Sequence, residues 1–180
     1  MNYILKNIAA IFILSFTIIK GQDMNNELRV VNSVDLKKYI GLWYEIAKIP
    51  NRFQKDCKRN TTAIYSFRED GKIKVVNSCM EDDGSIKIAE GVARVADTRT
   101  NAKLEVSFVK LLGINLFWGD YWIIGLGDNY EYALVGSPDR KYGWILSRTP
   151  KLQQEKLNRI SELLKNKGYD ISRFEFTLQD

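Results

Sequence analysis

Histidine is absent from the 180 residues, and cysteine occurs only at Cys57 and Cys79. The lack of histidine removes the side chain most used as a general base and as a metal ligand. Two cysteines that do not form a CxxC spacing make neither a zinc cluster nor a dithiol redox centre. No serine stands in a G-x-S-x-G nucleophile elbow. Basic residues are scattered, with only brief clusters such as Lys55 to Arg59, so the net charge of +5 carries no nucleic-acid partner. Internal repeats, low-complexity stretches and proline-rich linkers are missing as well, which leaves one continuous domain. Metal centres, cofactor-dependent chemistry and common hydrolase chemistry therefore have little to stand on.

With 45% apolar residues, the chain can bury a substantial core. Lys6 followed by the apolar run Ile8 to Ile19 has the length of a signal-peptide core and falls short of the roughly 20 residues a membrane span needs. Small Gly21 ends this segment. Residues 1–21 are expected to be a signal peptide and 22–180 the mature domain. Removing Lys6 and Lys20 takes 27 basic residues to 25 against 22 acidic, a net of +3. In an exported chain two cysteines imply a disulfide. A hairpin about Asp70-Gly71 sets Thr62 opposite Cys79 with Cys57 just beyond the strand end. The closed loop is worth about 3 kcal/mol in the chain-entropy model.

Apolar and polar residues alternate in short segments divided by turn signals, the pattern of an antiparallel barrel or sandwich. A polar turn leads to Gly41 and a first strand in which Trp43, Glu45, Ala47 and Ile49 share one face. Thr61 to Phe67, Lys72 to Cys79, Ser85 to Val95, Lys103 to Val109, Tyr121 to Leu126, Tyr130 to Gly136 and Tyr142 to Ser147 bring the count to eight. Leu111 to Trp118 reads as an unusually apolar loop. After Pro150 the spacing of Leu152, Leu157, Ile160, Leu163 and Leu164 is helical, with Gly168 as the stop. Phe174 to Phe176 reads as a short ninth strand. The fold class is thus all-β: eight antiparallel strands, a C-terminal helix and a final strand.

Gly41-Leu42-Trp43 before the first strand and Trp144-Ile145-Leu146-Ser147-Arg148 about a hundred residues later resemble the lipocalins. The similarity runs from Val34 to Asp180 and is greatest toward the bacterial outer-membrane and apolipoprotein D branch. It implies an up-and-down barrel around one small ligand, with Trp43 plugging the closed end, Arg148 lying across its ring and Gly41 making the turn. Two departures stand out. Gly127 occupies a place that is often acidic in bacterial members, with Asp128 one position later. No cysteine follows the apolar leader, so the acylated anchor of those members has no attachment residue.

The resemblance implies binding rather than catalysis, with no cofactor. Alternation and resemblance together give a ligand-contacting set of Ala47, Phe53, Tyr65, Val75, Asn77, Phe108, Trp122, Tyr132 and Trp144, with Gly91 and Ala93 leaving volume. Arg52, Lys48 or Asn77 would meet a polar head group. The expected ligand is a fatty acid, lysophospholipid or similar amphiphile, stored or transported by a periplasmic or secreted protein. Outer-membrane contact through the apolar loop and homodimer pairing are the expected further partners. Two other readings stay open: an enzyme using a free pocket cysteine, and a tetrapyrrole or pigment carrier.

Overall fold

A computed structural model describes residues 27–180; the expected signal segment and its cleavage point lie outside the described residues. A short helix α1 (Leu36–Tyr39) leads into β1 (Gly41–Lys48). Next come β2 (Arg59–Phe67), β3 (Ile73–Met80), β4 (Ile86–Val95) and β5 (Lys103–Ser107). A small ribbon, β6 (Val109–Leu111) and β7 (Ile114–Leu116), precedes β8 (Gly119–Leu126), β9 (Tyr132–Gly136) and β10 (Gly143–Ser147). Helix α2 (Gln154–Asn166), a 3-10 turn at Ile171–Arg173 and β11 (Glu175–Phe176) complete the chain. Every neighbouring pair is antiparallel, and β10 pairs back onto β1. The eight long strands therefore close into a barrel, which removes the unpaired edges an open sheet would expose. The ninth strand, β11, adds to the second half of β1.

The polar turn expected before Gly41 is instead helix α1, because Asp35 caps it by accepting from Lys37 N at 2.9 Å. Gly41 follows with φ of +101°, a conformation natural to glycine. Trp43 is fully buried, and its indole N–H donates to Tyr39 O at 2.8 Å. The Arg148 guanidinium lies 3.7 Å from the centre of that ring. It also donates to the carbonyls of Lys38, Tyr39, Ile40 and Leu42 at 2.7–3.0 Å. One cation thus satisfies the helix-end carbonyls and seals this end of the barrel.

Two cores follow. Inside the barrel, Trp43, Tyr65, Ile73, Val75, Leu104, Ile123 and Leu146 pack together. Outside it, Ile160 and Leu164 of α2 cover Ile46, Ile124, Leu134 and Ile145. Gly168, at φ +80°, ends the helical segment as expected.

A bulge at Ile46 breaks the single face expected for β1. Glu45 pairs with Leu146 and Ala47 with Ile145, so the strand turns over between them. Trp43 and Glu45 point inward, whereas Ala47 and Ile49 join the outer core under α2. The apolar segment expected as a loop is the hairpin β6–β7, with Leu112 and Gly113 both at positive φ in its turn.

Candidate functional site

Along β4 and β5, and on β3 as far as Asn77, inward-facing side chains become more accessible away from the sealed end, while Glu45, Thr61 and Cys79 stay buried on the β1–β3 side. On β3, Ile73 and Val75 are buried but Asn77 is only half-buried. On β4, buried Ala93 and Gly91 give way to exposed Ala89. On β5, Leu104 at 2% leads through half-buried Val106 to Phe108 at 42%. This gradient describes a lumen that opens at the end carrying the β1–β2, β3–β4 and β9–β10 connections and the β6–β7 ribbon. Gly91 does not leave free volume, because the Phe108 ring occupies the place its Cβ would need.

The wall made by β10 and β1 is polar. Glu45, 3% exposed, takes a 3.1 Å ion pair from Lys48, a 2.6 Å bond from Thr177 Oγ1 and another of 2.6 Å from Gln54 Nε2. Gln54 Oε1 in turn accepts from Trp144 Nε1 and Asn51 Nδ2, both at 2.9 Å. The β1–β2 loop is therefore tied to the lumen wall through Gln54. A disulfide between Cys57 and Cys79, with Cα atoms 5.5 Å apart, fixes its far end to β3. Gln179 bridges the carbonyls of Glu45 and Thr61 at 2.8 and 2.9 Å where β1 and β2 diverge.

Two polar atoms stand out against this network. Among the described residues, Thr61 Oγ1 and Asn77 Oδ1 are the buried side-chain polar atoms that have no hydrogen-bond partner. They sit on adjacent strands, where Asn77 pairs with Ala63, two residues along from Thr61. A buried unsatisfied group costs on the order of 1–3 kcal/mol, so this part of the wall favours a polar visitor. Cations around the site are already engaged. Lys48 is held by Glu45, and Lys87 at the mouth pairs with Asp56 at 2.7 Å, whose carboxyl that contact holds below its ordinary pKa.

Five of the nine residues expected to meet a ligand have side chains on the lumen face: Tyr65, Val75, Asn77, Phe108 and Trp144. Tyr65 and Val75 are almost sealed there. Phe53 lies at the rim, against Tyr142, which stacks on Trp144 at 6.0 Å. Ala47, Trp122 and Tyr132 are corrected to the outer surface, where they belong to or pack on the α2 cluster. Trp122 lies beneath Lys103 Nζ at 4.1 Å, while its neighbour Tyr121 takes the inward place. Arg52 lies over the exposed Phe53 ring rather than in the lumen. Alternation set Glu45 on the face of Trp43, yet nothing flagged a carboxylate inside the barrel; Gln54, Thr61, Tyr121 and Thr177 were missed altogether. Both cysteines are in the disulfide, which leaves free-thiol chemistry without its nucleophile. Among the described residues no group of acidic, cysteine or histidine side chains could hold a metal ion.

A family model described as a lipocalin-like domain matches residues 34–179. The chain is 40% identical over 151 residues to the outer membrane lipoprotein Blc of Escherichia coli, covering 83% of this chain and 82% of that one. Mouse apolipoprotein D is 36% identical over 177 residues, covering 91% and 89%. Among solved structures, insecticyanin from the tobacco hornworm Manduca sexta superposes with a TM-score of 0.68 at 26% identity, covering 84% of each chain.

Proposed function

The chain belongs to the lipocalin family, whose members bind small hydrophobic ligands, and from that premise we propose that it is an exported carrier of fatty acids, lysophospholipids or similar single-chain amphiphiles. The observation that supports this reading is the rise in accessibility along the inward faces of β4 and β5, and of β3 as far as Asn77, where Val106 and Phe108 offer apolar surface toward the mouth. Burying an alkyl chain yields about 0.8 kcal/mol per methylene. A dozen methylenes thus supply roughly 10 kcal/mol, enough for micromolar binding after part of it is lost to ordering. The polar head would lie near Asn77 and Thr61, with Trp144 and Phe108 against the chain.

The rim supports loading at a lipid surface. Leu112 is 94% exposed and Phe117 82%, and Phe53, Leu111 and Ile114 join them at the open end. An exposed apolar patch of this kind marks a contact site. A carrier that takes up lipid from an outer membrane, in the periplasm or after secretion, would use it to meet the bilayer.

Ala89→Trp tests the placement. An indole at this inward, open position would block the mouth without disturbing the sealed core. Affinity for a fatty acid should fall more than about a hundredfold, near or beyond the top of the roughly 10–200-fold range of one altered apolar contact. Unchanged affinity in a folded variant would put the ligand somewhere other than the lumen.

A further inference from the structure

Three tyrosine hydroxyls meet above the sealed end. Tyr39 comes from α1, Tyr65 from β2 and Tyr121 from β8, and β2 and β8 are four places apart in the ring of eight strands, on opposite walls. Tyr39 Oη and Tyr121 Oη are 2.8 Å apart, and Tyr121 Oη and Tyr65 Oη 2.9 Å. The chain of hydroxyls therefore crosses the barrel and forms the floor of the lumen.

Proton counting shows that this floor is incomplete. Each phenol carries one proton, and burial keeps all three neutral by raising Tyr39, Tyr121 and Tyr65, the last to about 12. Three protons serve two hydrogen bonds, so among the described residues one O–H is left without an acceptor whichever way the chain is oriented. Tyr39 and Tyr65 are nearly sealed, at 2% and 6% exposure, while Tyr121 is half-buried and borders the lumen. If both sealed hydroxyls donate to Tyr121, the spare proton falls on the least buried residue of the three. The unpartnered atoms of Thr61 and Asn77 form a separate tier. Asn77 lies two residues up β3 from Val75, the partner of Tyr65, or about 7 Å higher along the wall.

We propose that this floor is a second polar subsite, where the Tyr121 hydroxyl donates to a hydroxyl or carbonyl oxygen on the buried, leading end of the ligand. The proposal rests on the carrier reading and sharpens it. The preferred ligand is a lipid polar at both ends, a hydroxy- or oxo-lipid, rather than one with a plain alkyl tail. Such a ligand gives the floor donor an acceptor, whereas a methyl end leaves it buried and unmatched.

Palmitate and 16-hydroxypalmitate, each displacing a conjugated polyene fatty acid from the delipidated protein, differ only at the leading end. A floor with a spare donor holds the hydroxy acid at least as tightly as palmitate. An apolar floor would weaken it by roughly tenfold or more, since the hydroxyl would be buried without a partner. In Tyr121→Phe the ratio of the two dissociation constants should move about tenfold against the hydroxy acid. Tyrosine labelled with carbon-13 at Cζ gives a readout independent of affinity and of that variant's folding. The Tyr121 signal should shift with 16-hydroxypalmitate and not with palmitate. Weaker binding of the hydroxy acid than of palmitate in the native chain, an unchanged ratio in a folded Tyr121→Phe, or Cζ signals indifferent to the ω-hydroxyl would overturn the floor while leaving the carrier intact. Binding of neither acid would instead remove the carrier reading and the floor with it.

Discussion

At the scale of single residues, Arg148 joins two tasks that a lysine cannot combine. Its planar guanidinium covers Trp43 while its forked donors reach four carbonyls at the end of α1 and the start of β1. Arg148→Lys keeps the charge but loses the fork and is expected to lower stability by about 2–3 kcal/mol, read as a lower urea midpoint at unchanged slope. A loss below about 0.5 kcal/mol would mean that the closed end holds without it. The buried phenols make a second prediction. Their folded-state pKa values stand above the ordinary 10, Tyr65 at about 12, because burial disfavours the phenolate. The protonated form thus belongs to the folded state, and its contribution is complete below pH 10 and disappears as pH rises toward 12. Absorbance at 295 nm should show Tyr39, Tyr65 and Tyr121, together with Tyr132 and Tyr169, whose phenols burial also pushes up, ionising only as circular dichroism reports unfolding. Ionisation of every tyrosine in one transition near pH 10, with the fold intact, would contradict the sealed floor. Asn77 was readable at this scale because charged Lys72 and Lys74 set the faces of its strand. Trp122 was not: Tyr121-Trp122-Ile123-Ile124 has no polar alternation, since both faces of β8 are covered.

Among the elements, the β1–β2 connection is the most constrained. Gln54 ties it to Glu45 and Trp144, and the Cys57–Cys79 bridge holds its end, across a sequence separation of 22. Replacing both cysteines with serine should cost about 3 kcal/mol on loop-closure grounds, measured by urea unfolding of the oxidised parent and the variant. A difference under about 1 kcal/mol would show that the hydrogen bonds alone hold the loop. Strand count, helix and final strand were legible because period-2 and period-3.6 patterns depend on which side of an element is buried. The bulge at Ile46 was not, because an extra residue changes the register without changing the composition of the run. It moved Ala47 out of the lumen and brought Lys48 in beside Trp144. The β6–β7 hairpin hid for another reason: Val109-Lys110-Leu111 and Ile114-Asn115-Leu116 do alternate, but each strand is only three residues long, too short for the period to stand out.

The whole molecule is a closed sheet with one sealed and one open end. Closure by β1–β10 pairing joins residues about a hundred positions apart, which no local pattern reports; the resemblance of the two tryptophan motifs to lipocalins supplied it. Trp144, stacked on Tyr142 at the open half of the wall, is placed to report what enters. Trp144→Ala should weaken amphiphile binding by about tenfold or more, as expected for the loss of one apolar contact, with the far-ultraviolet spectrum preserved. The most direct measurement is a fluorescence titration of the delipidated, disulfide-bonded protein with a conjugated polyene fatty acid. Saturation at one ligand per chain in the micromolar range or below, with energy transfer from tryptophan, is the result expected of a carrier. A correctly folded sample that shows no saturable binding would contradict it and leave the lumen without the ligand class proposed for it.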